Sequence, residues 1–238
     1  MFARPLSLAR PMTITLITGA NKGIGFATAQ QLTELGHTVY IGARNADRGR
    51  RAAAQIGARS VQLDVTDDAS VAAALATIDA AEGRLDVLIH NAGILTTALD
   101  GPAALRSFDT NAVGIVRVTE AALPLLRRST DPNVITISSS MGSFWAVTNP
   151  DRAEYGFPLA LYAASKAAAT MLTLQYAKAN PDIRFNALEP GPTATDMTAA
   201  WGIGRPPEES ARVVVRLATR SGEGPTGTLQ DEDGPLAW

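Results

Sequence analysis

Tyr162 and Lys166, in the run Leu161-Tyr162-Ala163-Ala164-Ser165-Lys166, stand four residues apart at the start of a long helical stretch. On a helix this spacing puts both side chains on one face, with Cβ atoms about 6 Å apart. An ammonium there favours phenolate, drawing a tyrosine from its unperturbed pKa of about 10 toward the range of a general acid or base. A lone copy of the pattern reads first as a core tyrosine beside a solvated lysine. Ser138-Ser139-Ser140, which follows an apolar run, changes that balance by supplying hydroxyls that reach the same crevice. Thr18-Gly19-Ala20-Asn21-Lys22-Gly23-Ile24-Gly25 is a third cluster and leads into an amphipathic segment ending about Leu35. Glycines there permit a tight turn and let a pyrophosphate reach the N–H groups and dipole of a helix N-terminus. The G-x-x-x-G-x-G spacing departs from G-x-G-x-x-G, and either pattern alone is compatible with a simple turn.

The elements that must position these groups follow from the apolar pattern. Strand-like runs near Thr13–Thr18, Thr38–Gly42, Ser60–Leu63, Asp86–Ile89, Asn133–Ile137 and Ile183–Leu188 alternate with helical stretches rich in alanine and leucine. A last short strand is expected around Thr226–Gln230. This βαβ alternation predicts an α/β protein: one doubly wound Rossmann domain with a central parallel sheet of about seven strands and helices on both faces. The domain is expected over residues 12–238, and the Gly/Pro-rich stretches Glu189–Pro192 and Gly202–Pro207 fall in loops within it. Residues 1–11 read as a flexible N-terminal tail, or as translation from a start upstream of Met12, and no function is assigned to them. In such sheets ligands bind outside the carboxyl ends of the strands.

Composition excludes several partner classes. A net charge of −2 with interspersed charges leaves no electrostatic footprint for nucleic acid or an anionic membrane. The absence of cysteine removes disulfides and thiolate chemistry, and His37 and His90 are too few and too isolated for a metal centre, so no metal is expected. No apolar run approaches the ~20 residues that span a bilayer, and no secretion signal is evident. The chain reads as a cytoplasmic protein with small-molecule partners.

An ordered set of segments is similar to the short-chain dehydrogenase/reductase family, in its single-domain branch: Thr18 to Gly25, Asp64-Val65, Asn91-Ala92-Gly93, Asn111, Ser138-Ser139, Tyr162 to Lys166, and Pro190-Gly191-Pro192-Thr193-Ala194-Thr195-Asp196-Met197. The resemblance implies Ser139 as catalytic serine, ahead of Ser138 and Ser140. It implies Tyr162 as proton donor to a carbonyl oxygen, Lys166 as ribose ligand and tuner of the tyrosine, and Asn111 as holder of a relay water. Cofactor contacts are expected from Gly19, Asn21, Lys22, Gly23, Ile24, Gly25, Arg44, Asp64, Val65, Asn91, Ala92, Gly93, Tyr162, Lys166, Pro190, Gly191, Thr193 and Thr195. The implied reaction is hydride transfer between a nicotinamide cofactor and a ketone, aldehyde or alcohol.

Cofactor choice rests on the end of the second strand. NAD-specific proteins of this fold carry a carboxylate there for the ribose 2′-hydroxyl. Here the run is Gly42-Ala43-Arg44, and Lys22 lies on the same side of the expected ribose, so NADP(H) is predicted.

Three departures from the family pattern stand out. His90 occupies the place of an asparagine and is expected to make a structural hydrogen bond. The span from Ser139 to Tyr162 is long and carries Phe144, Trp145, Tyr155 and Phe157, which suit either pocket lining or anchoring of the loop. The lid after Met197 is short. The longer span and Lys22 resemble the carbonyl-reductase-like subgroup. A homodimer or homotetramer is expected through helices about Pro102–Arg128 and Leu161–Ala179, unless the insertion blocks that face. Two other functions fit the fold: a catalytically silent NADP-binding sensor, and an epimerase or dehydratase, which usually carries a larger C-terminal substrate domain.

Overall fold

The computed structural model describes residues 12–222 and 224–238, so the tail expected over 1–11 lies outside the described residues. Seven strands form one wholly parallel sheet in the order β3-β2-β1-β4-β5-β6-β7. They are β1 (Ile14–Thr18), β2 (Thr38–Ala43), β3 (Arg59–Gln62), β4 (Val87–His90), β5 (Asn133–Ile137), β6 (Arg184–Leu188) and β7 (Thr228–Gln230). The predicted runs agree with these to within one or two residues. Asp86 directly precedes β4, and its carboxylate accepts from the Ile14 N–H at 2.8 Å and the Ser129 hydroxyl at 2.6 Å.

Helices α1 (Gly23–Glu34), α2 (Ala46–Ile56), α3 (Asp68–Glu82), α4 (Gly101–Phe108), α5 (Gly114–Leu126), α6 (Phe144–Thr148), α7 (Ala160–Ala179) and α8 (Pro207–Ala218) connect the strands. Alternate residues of a strand face opposite ways, so each central strand feeds two cores. Leu16, Leu88, Val134 and Phe185 pack with residues of α3, α5 and α7, whereas Ile17, Ile89, Ile135 and Leu188 pack with α1, α2 and α8. The strands are apolar on both faces for this reason.

Between β4 and β6 the chain is less regular. α4 and α5 are joined by a π-helical turn, Asp109–Val113, at which Asn111 is buried. The long segment after β5 folds as a 3₁₀ turn (Ser140–Gly142), α6 and a second 3₁₀ turn (Ala153–Gly156). None of the described helices is long and apolar enough to cross a membrane.

Candidate active site

The carboxyl end of β1 opens into the Gly-rich turn. Gly19 adopts φ +65°, and a Cβ there would lie 2.9 Å from the Ala92 Cα, so only glycine fits the approach of this turn to the β4 end. The Thr18 hydroxyl accepts from the N–H groups of Asn91 and Ala92 at 3.0 Å each, and the Asn91 amide donates to the carbonyls of Thr18 and Gly19 at 2.8 and 3.1 Å. Asn91 therefore shapes the turn with its own side chain. α2, α3 and α4 begin with side-chain caps from Asn45, Asp67 and Asp100, while α1 begins at Lys22 without one. Free N–H groups at a helix start behind a glycine turn fit an anionic diphosphate.

Around this turn the expected contacts divide. Gly23 lies against Thr195, whose methyl a Cβ would meet at 3.4 Å, and Ile24 packs into the core beneath. Asn21 is half-buried in the turn. Gly191 has φ +78° and the Arg205 guanidinium beside it. The Thr193 hydroxyl points away from the crevice, to the Gly191 carbonyl at 2.8 Å and the Ser210 hydroxyl at 2.6 Å. Arg44 is exposed directly after β2. Lys22 does not stand free beside it: its ammonium pairs with Asp196 at 2.6 Å, which holds that exposed carboxyl below its ordinary pKa. Asp64, expected by resemblance to accept from the adenine amino group, binds the Thr66 N–H and hydroxyl through Oδ1 in a local turn, and Val65 is buried against Gly114.

The candidate reacting groups come from the end of β5 and from α7. Of the three serines, Ser138 is directed into the protein, toward the Thr170 hydroxyl at 2.6 Å and the Lys166 carbonyl at 3.2 Å. Ser139 caps the following turn, its Oγ accepting from the Met141 N–H at 3.2 Å, and its hydroxyl also bears on the Tyr162 phenol and the Glu189 carboxylate. Lys166 is buried and donates to the Ile137 carbonyl at 2.7 Å, and Gly93 leaves room for its ammonium. Asn111 accepts from the Ile94 N–H and donates to the Ile94 carbonyl and the Ser165 hydroxyl, at 2.8, 2.8 and 2.9 Å. Its side chain is thus fully engaged, and any water it holds would sit on the backbone that the π turn releases from regular pairing.

The electrostatics differ from expectation. Burial pushes the Tyr162 phenol well above its ordinary range, the Glu189 charge adds to this, and Ser139 partly offsets both. Lys166 does not draw the phenol down in this conformation, because its ammonium is held on the Ile137 carbonyl, 5.8 Å from the ring centre. Burial pulls Lys166 itself down to about 8, against the charge of Glu189. Glu189 was missed as a site residue. A charged residue directly after the buried strand β6 was the available signal, since a carboxylate at the crevice end of an apolar strand needs donors that only the crevice provides.

His90 makes the expected structural bond, to the Thr119 hydroxyl at 2.9 Å, and burial lowers its pKa to about 3, so the imidazole is neutral. In the long segment, Phe144 and Tyr155 are largely exposed, whereas Trp145 stacks under Arg152 and its N–H donates to the Trp238 carbonyl at 2.9 Å.

A seven-stranded doubly wound sheet with a glycine turn after β1 and a Ser/Tyr/Lys set across β5 and α7 defines a nicotinamide-dependent oxidoreductase class. The short chain dehydrogenase family model matches residues 13–205, and the chain belongs to the short-chain dehydrogenase/reductase family. It is 33% identical to the short-chain dehydrogenase anuI of Penicillium roqueforti, over 94% of this chain and 95% of that one. It is 31% identical to (-)-isopiperitenone reductase of Mentha piperita, over 97% and 99% of the two chains. Among solved structures, NADPH-bound carbonyl reductase from chicken fatty liver superposes with a TM-score of 0.83 at 27% identity, over 96% of this chain and 100% of that one.

Proposed function

We propose that this protein is an NADP(H)-dependent oxidoreductase that reduces a ketone or aldehyde to an alcohol, or catalyses the reverse. The observation that carries this reading is the convergence of Ser139, Tyr162 and Lys166 at the carboxyl end of β5, beside the glycine turn of β1. A bound nicotinamide cofactor supplies the hydride. The chain's own groups manage the oxygen. As hydride reaches a carbonyl carbon, alkoxide character develops on oxygen, and donors from Ser139 and Tyr162 stabilise that charge more than the ground state. Tyr162 gives up its proton, and the raised pKa of its phenol suits an acid that stays protonated until an alkoxide forms beside it. The Lys166 ammonium stabilises the phenolate left behind, and Asn111 holds the route by which the proton is replaced. The remaining carbonyl-side and cofactor-side contacts follow the assignments above, with Thr193 acting through backbone because its hydroxyl is engaged.

The preference for NADP(H) is supported by Arg44 after β2, where no carboxylate stands, and by the NADPH bound to the chicken carbonyl reductase to which the chain is similar. A cytoplasmic location and self-association through α4, α5 and α7 are part of the same proposal; Leu105 and Met171 on those helices are exposed. Light scattering giving a mass near 24.9 kDa would refute self-association. The function is tested with a panel of ketones and aldehydes, following loss of NADPH absorbance. Turnover of any carbonyl supports the reading; tight NADPH binding with no turnover across the panel would favour the silent sensor.

A further inference from the structure

Glu189 follows β6 directly, and its two carboxylate oxygens reach different loops. Oε1 accepts from the Gly191 N–H at 2.8 Å and Oε2 from the Ser140 N–H. Its own N–H donates to the Gln230 carbonyl at 2.7 Å, which fixes the backbone from the β7 side. One side chain therefore joins the turn that presents Ser139 to the loop Pro190-Gly191, across the gap between the neighbouring strands β5 and β6. Both oxygens accept from N–H donors, the pattern of an ionised carboxylate. Burial is the larger influence and raises the carboxyl above its ordinary range, while the backbone donors and the Ser139 and Ser140 hydroxyls offset part of it and stabilise the ionised form.

The charged groups around it come from three sides. Tyr162 and Lys166 face it from α7, and Arg152 faces it from the long segment after β5. Glu154 pairs with Arg152 and shares the Ser140 hydroxyl, and Asp231 beyond β7 also bears on Arg152.

We propose that Glu189 is a positioning residue, clamping the Ser139 turn to the Gly191 loop and holding a fixed negative charge beside Tyr162 and Lys166. The clamp sets the distance between the Ser139 hydroxyl and the Pro190-Gly191 loop expected to contact the cofactor. The charge keeps the phenol and the ammonium protonated to higher pH, which favours reduction. This rests on the reading of Ser139, Tyr162 and Lys166 given above.

The test compares the full-length wild type with Glu189→Gln and Glu189→Asp. Amide hydrogen exchange at Ser140 and Gly191 reads the clamp without any turnover. The amide of Gln offers an NH2 where one backbone N–H needs an acceptor, so exchange at one of these two positions should rise about tenfold or more. The alkaline limb of kcat for carbonyl reduction should move down by about one pH unit in Glu189→Gln, because the charge is gone. It should stay in place in Glu189→Asp, which keeps the charge and shortens the reach. kcat should fall more than KM for NADPH changes in both variants. Unchanged exchange at both amides, or an unmoved alkaline limb in Glu189→Gln, overturns the proposal. If Glu189→Gln does not fold, Glu189→Asp decides: faster exchange confined to Ser140 and Gly191 supports the clamp, and wild-type exchange there overturns it. A wild type that reduces no carbonyl refutes the function proposed above, and the exchange measurement still judges the clamp.

Discussion

The Lys166 ammonium donates to the Ile137 carbonyl at 2.7 Å and stands 5.8 Å from the centre of the Tyr162 ring. The last residue of β5 thus fixes the lysine beside the tyrosine, and the same strand end presents Ser139.

A pH limit follows from that burial. The Lys166 pKa is lowered from 10.5 to about 8, so NADPH-driven reduction should decline as pH rises through about 8, where the ammonium is lost. The effect on stability has the opposite sign. Between about 8 and 10.5 the unfolded chain binds more protons at this site than the folded one, and the Lys166 contribution to stability therefore rises with pH. Rate profiles and melting curves measured over the same pH range should diverge; parallel decline would count against this assignment.

Tyr162→Phe should retain the fold and NADPH affinity while turnover drops by at least ~10³-fold, the size expected when both an acid and an oxyanion donor are lost. Near-wild-type kcat in this variant would remove Tyr162 from the mechanism.

Arg44→Ala should reduce NADPH affinity by about 10-fold or more and leave NADH nearly unchanged, since charge-assisted hydrogen bonds contribute ~1.5–3 kcal/mol. Lys22 contributes less than its position in the chain suggests, because Asp196 already engages it. Asp196→Asn should free that ammonium and tighten NADPH, with little change in melting temperature because an exposed pair adds little. Fluorescence titration with both cofactors, showing equal wild-type affinities, would refute the assignment.

His90→Asn should make the protein more acid-resistant. The folded-state pKa is about 3 against 6.5 unfolded, so the unfolded state binds the extra proton and stability is lost as pH falls from about 6.5 toward 3. Asparagine has no such proton to take up. Acid unfolding should shift to lower pH in the variant, and an unchanged midpoint would show that other groups govern it.

Strand positions and the crevice end of the sheet were legible in the sequence because a strand apolar on both faces, such as β4 or β5, admits few other readings. Ser139 is singled out of the run of three serines by family resemblance alone; what local pattern does not contain is the tertiary contact by which Thr170 on α7 takes Ser138 out of the crevice. The Lys22–Asp196 pair joins residues 174 positions apart, so no local pattern reveals it. The π turn at Asn111 has no distinctive composition, and the bonds of Asn111 there, to Ile94 and Ser165, are tertiary. Glu189 was visible as a charge at a strand end, but which N–H groups it binds depends on the neighbouring strand.

The strand order carries a consequence for how the molecule is made. From β1 the sheet extends through β2 and β3 on one side, and then through β4, β5, β6 and β7 on the other, each in chain order. On a ribosome, every strand after the first finds its partner edge already synthesised, which limits the time that an unpaired edge waits. The glycine turn and its Thr18–Asn91 bonds are complete once the chain has passed β4, well before Tyr162, Lys166 and Glu189 emerge. A growing chain can therefore complete the proposed nucleotide cradle before the proposed reacting groups, and a ligand that binds this part of the sheet during synthesis would stabilise it.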